Sequence, residues 1–172
     1  MGFEDVVDDI SKGITVATKK VFETMVMMNI EQKQAALLDK TEISTDVICI
    51  ITIAGTYHGV IGLFCTNNYS LKIATNMLKE EQKTLTGEVR DAIGEITNMI
   101  AGTAKRTLTD KYGEMSLSIP IVMTGNDMIL TVTGKPAEKS HSIFCTTGDP
   151  WLMTTFICDN EEFNVGLLLK NT

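Results

Sequence analysis

From Gly113 to its end the chain offers six short β-like runs and no helical period between them, which constrains the fold more than any other feature. The runs are Met115 to Ile119, Ile121 to Thr124, Asp127 to Thr133, His141 to Thr147, Trp151 to Cys158 and Phe163 to Lys170. Turn signals separate them at Gly125-Asn126, Gly134-Lys-Pro136, Gly148-Asp-Pro150 and Asp159-Asn160. Strands this short must bury one face, and the earlier part of the chain supplies the helices to cover it.

From Phe3 to about Asn29, apolar residues recur at Val6, Ile10, Ile14, Ala17, Val21 and Met25, the three-and-four spacing of an amphipathic helix. A polar stretch follows around Glu31 to Gln34. Asp46-Val-Ile-Cys-Ile-Ile-Thr-Ile-Ala54 is β-branched and too short for a buried helix, so it reads as a strand. The turn residues of Gly55 to Gly59 lead into Val60-Ile-Gly-Leu-Phe-Cys65, predicting an antiparallel hairpin. Asn67 or Asn68 is positioned to cap a second helix from Tyr69 to Lys79, with Leu71, Ala74 and Leu78 on one face. Thr84 or Thr86 opens a third helix, Glu88 favours its positive end, and Gly113 stops it after Tyr112. The sum is an α+β fold, a mainly antiparallel sheet packed against long N-terminal and central helices.

A length of 172 residues predicts one domain over residues 1–172. The formal net charge of -7, with no basic run, argues against nucleic acid as a partner. The acidic N-terminus lacks the pattern of a signal peptide, and no apolar run reaches the roughly 18 residues of a membrane span. The expectation is a cytoplasmic protein without membrane contact. Val6 stands where a myristoylation signal wants Ser or Thr. Cys49, Cys65, Cys145 and Cys158 are widely spaced in apolar runs and read as buried, reduced thiols. His58 in a turn and His141 near a strand start have no ligand-like spacing to other metal-binding side chains, so no metal site is expected. Gly134-Lys135 lacks the Ser or Thr and the upstream glycine of a phosphate-binding loop. Met25-Val-Met-Met28 reads as core filler, with an adaptable binding surface as the alternative.

The third helix carries the candidate chemistry. At about 100° per residue, Val89, Ile93, Ile96, Ile100, Ala104 and Leu108 gather on one side and predict the sheet-facing stripe. Asp91, Glu95, Asn98 and Gly102 fall within roughly 60° of one another on the opposite side. Glu95 and Asn98, three residues apart, have their Cβ atoms about 5–6 Å from one another. An ordinary solvated face explains such a set by itself. Asn and Gly, however, both weaken a helix that Glu, Lys or Ala would strengthen, Gly by about 1 kcal/mol against Ala. A missing side chain beside Asn98 lets another protein's surface approach closely.

Asp91-Ala-Ile-Gly-Glu95-Ile-Thr-Asn98-Met-Ile-Ala-Gly102 resembles the signature helix of the CheC/CheX/FliY phosphatases. In that family Glu-x-x-Asn is preceded by Asp or Ser four residues earlier and followed by a proline some twenty residues later; Asp91 and Pro120 fill those places. The first helix has Glu23 but Val26 where a second Asn would stand, so the resemblance is to single-site CheX rather than two-site CheC. It implies a phosphatase acting on the aspartyl phosphate of a CheY-like receiver domain, with chemotaxis the leading pathway. It also implies that Asn98 positions the attacking water and that Glu95 pairs with a receiver lysine. A neutral amide offers water one donor and one acceptor, whereas a carboxylate makes a charge-assisted bond to an ammonium. The chain needs no cofactor of its own on this reading, Mg²⁺ being expected in the partner receiver. The resemblance further implies a homodimer joined through the sheet. Two other readings stand beside it: a non-catalytic CheX-like module that binds a receiver or signalling partner, and a structural dimer subunit pairing through an edge such as Phe163 to Lys170.

Overall fold

A computed structural model describes residues 3–38, 40–133 and 151–171. In chain order it contains helix α1 (Phe3–Val21), a π-turn (Phe22–Val26), strands β1 (Glu31–Leu38), β2 (Lys40–Gly55) and β3 (Tyr57–Cys65), and helices α2 (Asn67–Leu78) and α3 (Gly87–Tyr112). Strands β4 (Met115–Leu117), β5 (Ile121–Thr133), β6 (Trp151–Cys158) and β7 (Glu161–Asn171) complete it. Among the described residues the strands form one seven-stranded antiparallel sheet in the order β1-β6-β7-β3-β2-β4, with β5 also paired to β2. The fold is α+β, as the element order predicts.

The apolar alternation of β2 explains its central place. Val47, Cys49, Ile51 and Ile53 join the helix-side core with Ile93, Ile96 and Ile100 of α3, while Ile48 and Ile50 enter a second cluster with Phe64, Trp151 and Met153. Both faces of this strand are therefore buried from Val47 to Ile51, which is why that stretch reads as a continuous apolar run. An aromatic stack of Phe22, Tyr69, Phe163 and Phe156 closes the helix-side core under the π-turn, with successive centroids 4.7–5.2 Å apart where Phe163 is the shared ring. Offset and stacked rings at this spacing add to the area they remove from water.

Several elements depart from the sequence-based expectations. The first helix ends earlier than Asn29: the π-turn inserts an extra residue, so Phe22 and Val26 point inward and Met25 outward, and Met27 closes the turn with a left-handed backbone (φ 57°). Of the methionine cluster only Met28 is buried; Met25 and Met27 are exposed. The polar stretch from Glu31 is strand β1, whose exposed side chains hid a backbone paired to β6. His58 lies in β3, paired with Lys170, and not in a turn. Thr66, not Asn67 or Asn68, caps α2 by accepting from the Tyr69 N–H at 3.1 Å. In α2 Tyr69, Ser70, Ile73 and Ala74 are buried, whereas Leu78 is exposed.

Gly125-Asn126 does not break the chain. β5 runs through it, the irregularity taken up by a register shift between Thr45 and Val47 and a left-handed Asp127 (φ 48°). Asp46 braces this bulge, accepting from the Asp127 N–H at 3.2 Å and the Asn67 N–H at 3.0 Å. Asp159-Asn160 is a tight hairpin turn, both residues with positive φ. Phe163 to Lys170 belongs to β7, which sits between β6 and β3 and has no free edge for a partner. The β-like run His141 to Thr147, Cys145, and the turns at Gly134 and Gly148 lie outside the described residues.

Candidate functional site on the outer face of α3

Helix α3 begins at Thr86, whose hydroxyl accepts from the Val89 N–H at 3.3 Å, and ends at Gly113, where φ is +84° and an added Cβ would lie 2.7 Å from Thr56 Oγ1. Only glycine suits that left-handed, crowded position. Between these caps the predicted stripe of Val89, Ile93, Ile96, Ile100, Ala104 and Leu108 is buried throughout. Thr97 joins it: its hydroxyl donates to the Ile93 carbonyl at 2.8 Å, so its polar atom is satisfied inside the core. Beneath it, burial pushes the Cys49 thiol up to about 11, with a hydrogen bond to Thr97 pulling the other way. Cys49, Cys65 and Cys158 are buried free thiols, as their apolar contexts predict.

The stripe fixes the rotation of α3, and so brings Asp91, Glu95 and Asn98 to the exposed side, with Gly102 half-buried among them. No hydrogen bond or ion pair joins the Glu95 or Asn98 side chain to another described residue. The four residues form one outward ridge with an acid, an amide and a gap along it. Such a set has both kinds of contact that an incoming polar site would use: an anion for a cation, and a neutral donor and acceptor for water.

Pro120 flanks the ridge. A Cβ built on Gly94 would lie 3.4 Å from Pro120 Cγ and 3.6 Å from Val122 Cγ2, so the missing side chain at Gly94 lets the β4–β5 connection press against the helix. Gly94 is three residues from Asp91 and four from Asn98, which places that connection alongside both. Ser118 ties the connection to β2: its amide donates to the Thr52 carbonyl at 3.0 Å and its hydroxyl accepts from the Thr52 N–H at 3.0 Å. Ile119 is left 81% exposed beside the ridge, and Ile121 48%. Sequence reasoning missed these two; an Ile-Pro-Ile triplet at the entry to β5 was the available signal.

The two positions of the first helix where a second Glu-x-x-Asn pair would stand point in different directions. Glu23 is exposed on the π-turn and Val26 is wholly buried. Among the described residues no group of three or more His, Cys, Asp or Glu side chains is placed to hold a metal, and no helix is long and apolar enough to cross a membrane.

The fold is that of known chemotaxis proteins. A CheX from Desulfovibrio desulfuricans matches at 24% identity with a TM-score of 0.77, covering 94% of this chain and 99% of its own. A CheX from Vibrio vulnificus matches at 22% identity and a TM-score of 0.78, over 94% of this chain and 99% of its own. CheX in the CheX-CheY-BeF3-Mg complex from Borrelia burgdorferi matches at 21% identity and a TM-score of 0.68, over 93% of this chain and 97% of its own. No curated protein sequence gives a significant match. The family model for the chemotaxis phosphatase CheX matches residues 47–146, more than half of the chain and the whole of the α3 ridge and the Pro120 wall. The chain therefore belongs to the CheX family of chemotaxis phosphatases.

Proposed function

We propose that this protein hydrolyses the aspartyl phosphate of a CheY-like receiver domain, and that Asn98 and Glu95 divide the work. The observation that carries this reading is the placement of Glu95 and Asn98, one helical turn apart, exposed and without side-chain partners among the described residues, on a helix whose other face is locked into the core. The CheX of Borrelia burgdorferi forms a complex with CheY, BeF3 and Mg²⁺; a receiver partner for this chain is the matching expectation.

An acyl phosphate needs little covalent help. Water attacks phosphorus in line with the bond to the aspartyl oxygen, that bond breaks, and the carboxylate leaves with the bonding pair as inorganic phosphate forms. The attacking water must be held on one side of the phosphoryl group, and a side-chain amide can hold it without adding negative charge there. Asn98 takes this role. Glu95 makes a charge-assisted bond to a receiver lysine, which fixes where Asn98 enters. The Mg²⁺ belongs to the receiver, the protein acts in the cytoplasm, and two copies pair through the sheet. Binding without catalysis is the competing reading, and the exposed amide beside the carboxylate favours hydrolysis.

The test is to follow the decay of each phosphorylated receiver encoded with this protein, alone and with wild type or Glu95→Ala. Faster decay with wild type, and a raised half-saturating receiver concentration for Glu95→Ala, are expected. A wild type that binds a receiver without hastening its decay leaves only the non-catalytic reading.

A further inference from the structure

South of the ridge toward the C-terminal end of α3 lies a groove of about 480 Å³ lined by Met99, Gly102, Thr103, Lys105, Arg106 and Leu117. It crosses the helix at Gly102, where an added Cβ would meet nothing within 4 Å. Packing therefore does not require glycine at this position, and its backbone is ordinary helix. A glycine costs a helix interior about 1 kcal/mol against alanine. What it provides here is depth in the groove.

The groove's charge is the reverse of the ridge's. Asp91 and Glu95 stand at one end; Lys105 stands about 15 Å beyond Glu95 at 1.5 Å per residue, with Arg106 next to it. Neither cation has a carboxylate partner among the described residues; Arg106 reaches only the Thr103 hydroxyl at 3.3 Å. In a chain of net charge -7, two adjacent unpaired cations beside a steric gap form a local site for an anion-bearing surface.

We propose that the Gly102 groove docks a carboxylate-bearing segment of the receiver domain, with Lys105 and Arg106 as its charge partners, and so sets receiver specificity and orientation. This rests on the receiver being the partner. The arrangement explains the orientation: Glu95 seeks a cation and the groove seeks an anion, so a receiver turned end for end meets like charge at both points. The groove adjoins Asn98 by one helical turn, so a segment seated in it is held against the same face that delivers the amide. Lys105 and Arg106 do not reach the phosphoryl group; they are positioning residues.

Receivers of the source organism, activated with beryllofluoride and Mg²⁺, provide a binding probe that does not depend on turnover. Each is titrated with wild type, with Lys105→Glu/Arg106→Glu, with Gly102→Gln, and with Lys19→Glu/Lys20→Glu on the exposed end of α1 as a control of equal charge change. The groove pair is expected to weaken binding roughly tenfold and to flatten its salt dependence. Gly102→Gln is expected to weaken binding through steric filling, with no change in salt slope, and the control to stay within about twofold. Equal weakening by the groove pair and the control overturns the proposal, since it would reduce the effect to net charge; so does unchanged binding by the groove pair. Should Gly102→Gln not fold, the two charge variants decide alone. Wild type that binds a receiver through the groove yet leaves its phosphate intact refutes the catalytic reading and keeps this one, whereas wild type that binds no receiver removes both.

Discussion

Helices α1 and α3 lie against the same face of the sheet and pack on it in the same way, yet only α3 carries the candidate site. Each has a buried threonine that donates to the carbonyl four residues earlier: Thr18 to Ile14 at 2.7 Å, Thr97 to Ile93 at 2.8 Å. Aligned on these threonines, Ile10, Ile14, Ala17 and Val21 fall on Val89, Ile93, Ile96 and Ile100, every one buried. The outward positions then differ completely. Lys12, Val16 and Lys19 occupy the places of Asp91, Glu95 and Asn98, and Val16 is 60% exposed. The inner face of a helix decides whether it docks on the sheet; three or four outward residues decide what it can do. In α1 those residues offer an apolar side chain between two cations, and in α3 an amide between an acid and a gap.

Truncating the inner faces gives the largest expected effect and tests whether the two helices are equal as scaffold. Ile14→Ala and Ile96→Ala each remove a buried side chain and should cost about 2–5 kcal/mol in chemical denaturation. A cost confined to Ile96→Ala would show that α1 is only loosely attached and would break the comparison.

The thiols beneath the helices supply a second test, read as stability against pH. Burial raises the pKa values of Cys49, Cys65 and Cys158, Cys49 from 9.0 to about 11. A raised folded-state value means the stabilisation is fully present below the unfolded value near 9 and is lost as pH rises through the folded ones. Unfolding free energy should therefore be insensitive to these groups up to about pH 9 and fall above it, and Cys49→Ala should reduce that fall.

The helix glycines separate packing from function on a smaller scale. Gly13 of α1 has room for a Cβ at 3.7 Å from Leu108 and Thr107, and Gly102 of α3 opens on empty space. Alanine at either position should stabilise by up to about 1 kcal/mol in thermal or chemical unfolding. A loss of stability at Gly102 would show that the gap serves the fold rather than docking. The smallest expected effect is from transplanting the triad, Lys12→Asp/Val16→Glu/Lys19→Asn, into an Asn98→Ala protein. Receiver decay should stay at its unassisted rate, because α1 has neither the Pro120 wall nor the Gly102 groove. Recovery of activity would show that the triad alone suffices.

The sequence was most legible where one side chain per turn met one physical need. The inner stripe of α3, its Thr86 and Gly113 ends, the β6 run from Trp151 to Cys158 and the outward Glu95 and Asn98 could all be read from spacing and cap chemistry. Strand β1 could not, because its pairing with β6 is made by backbone atoms while Glu31 to Gln34 look like a loop. The end of α1 is not legible either, because a π-turn shifts the burial by one residue and no local residue type announces it. Gly125-Asn126 looked like a turn because the brace that carries β5 through it, Asp46, is some eighty residues away in sequence. At the site, the ridge was visible as a period, but the Pro120 wall against Gly94 and the basic groove at Gly102 are tertiary arrangements that periodicity does not encode. The chemistry itself came from the resemblance of the motif, not from its spacing.

The water-positioning role proposed for Asn98 carries the hydrolytic reading. The most direct measurement is single-turnover decay of the phosphorylated cognate receiver at saturating protein, for wild type and Asn98→Ala, with binding of the beryllofluoride-activated receiver measured in parallel. Loss of a positioned water should slow decay on the order of 10²-fold, toward the unassisted rate, with folding retained and receiver binding changed by less than a few-fold. Full hydrolytic activity in a folded Asn98→Ala protein would contradict it.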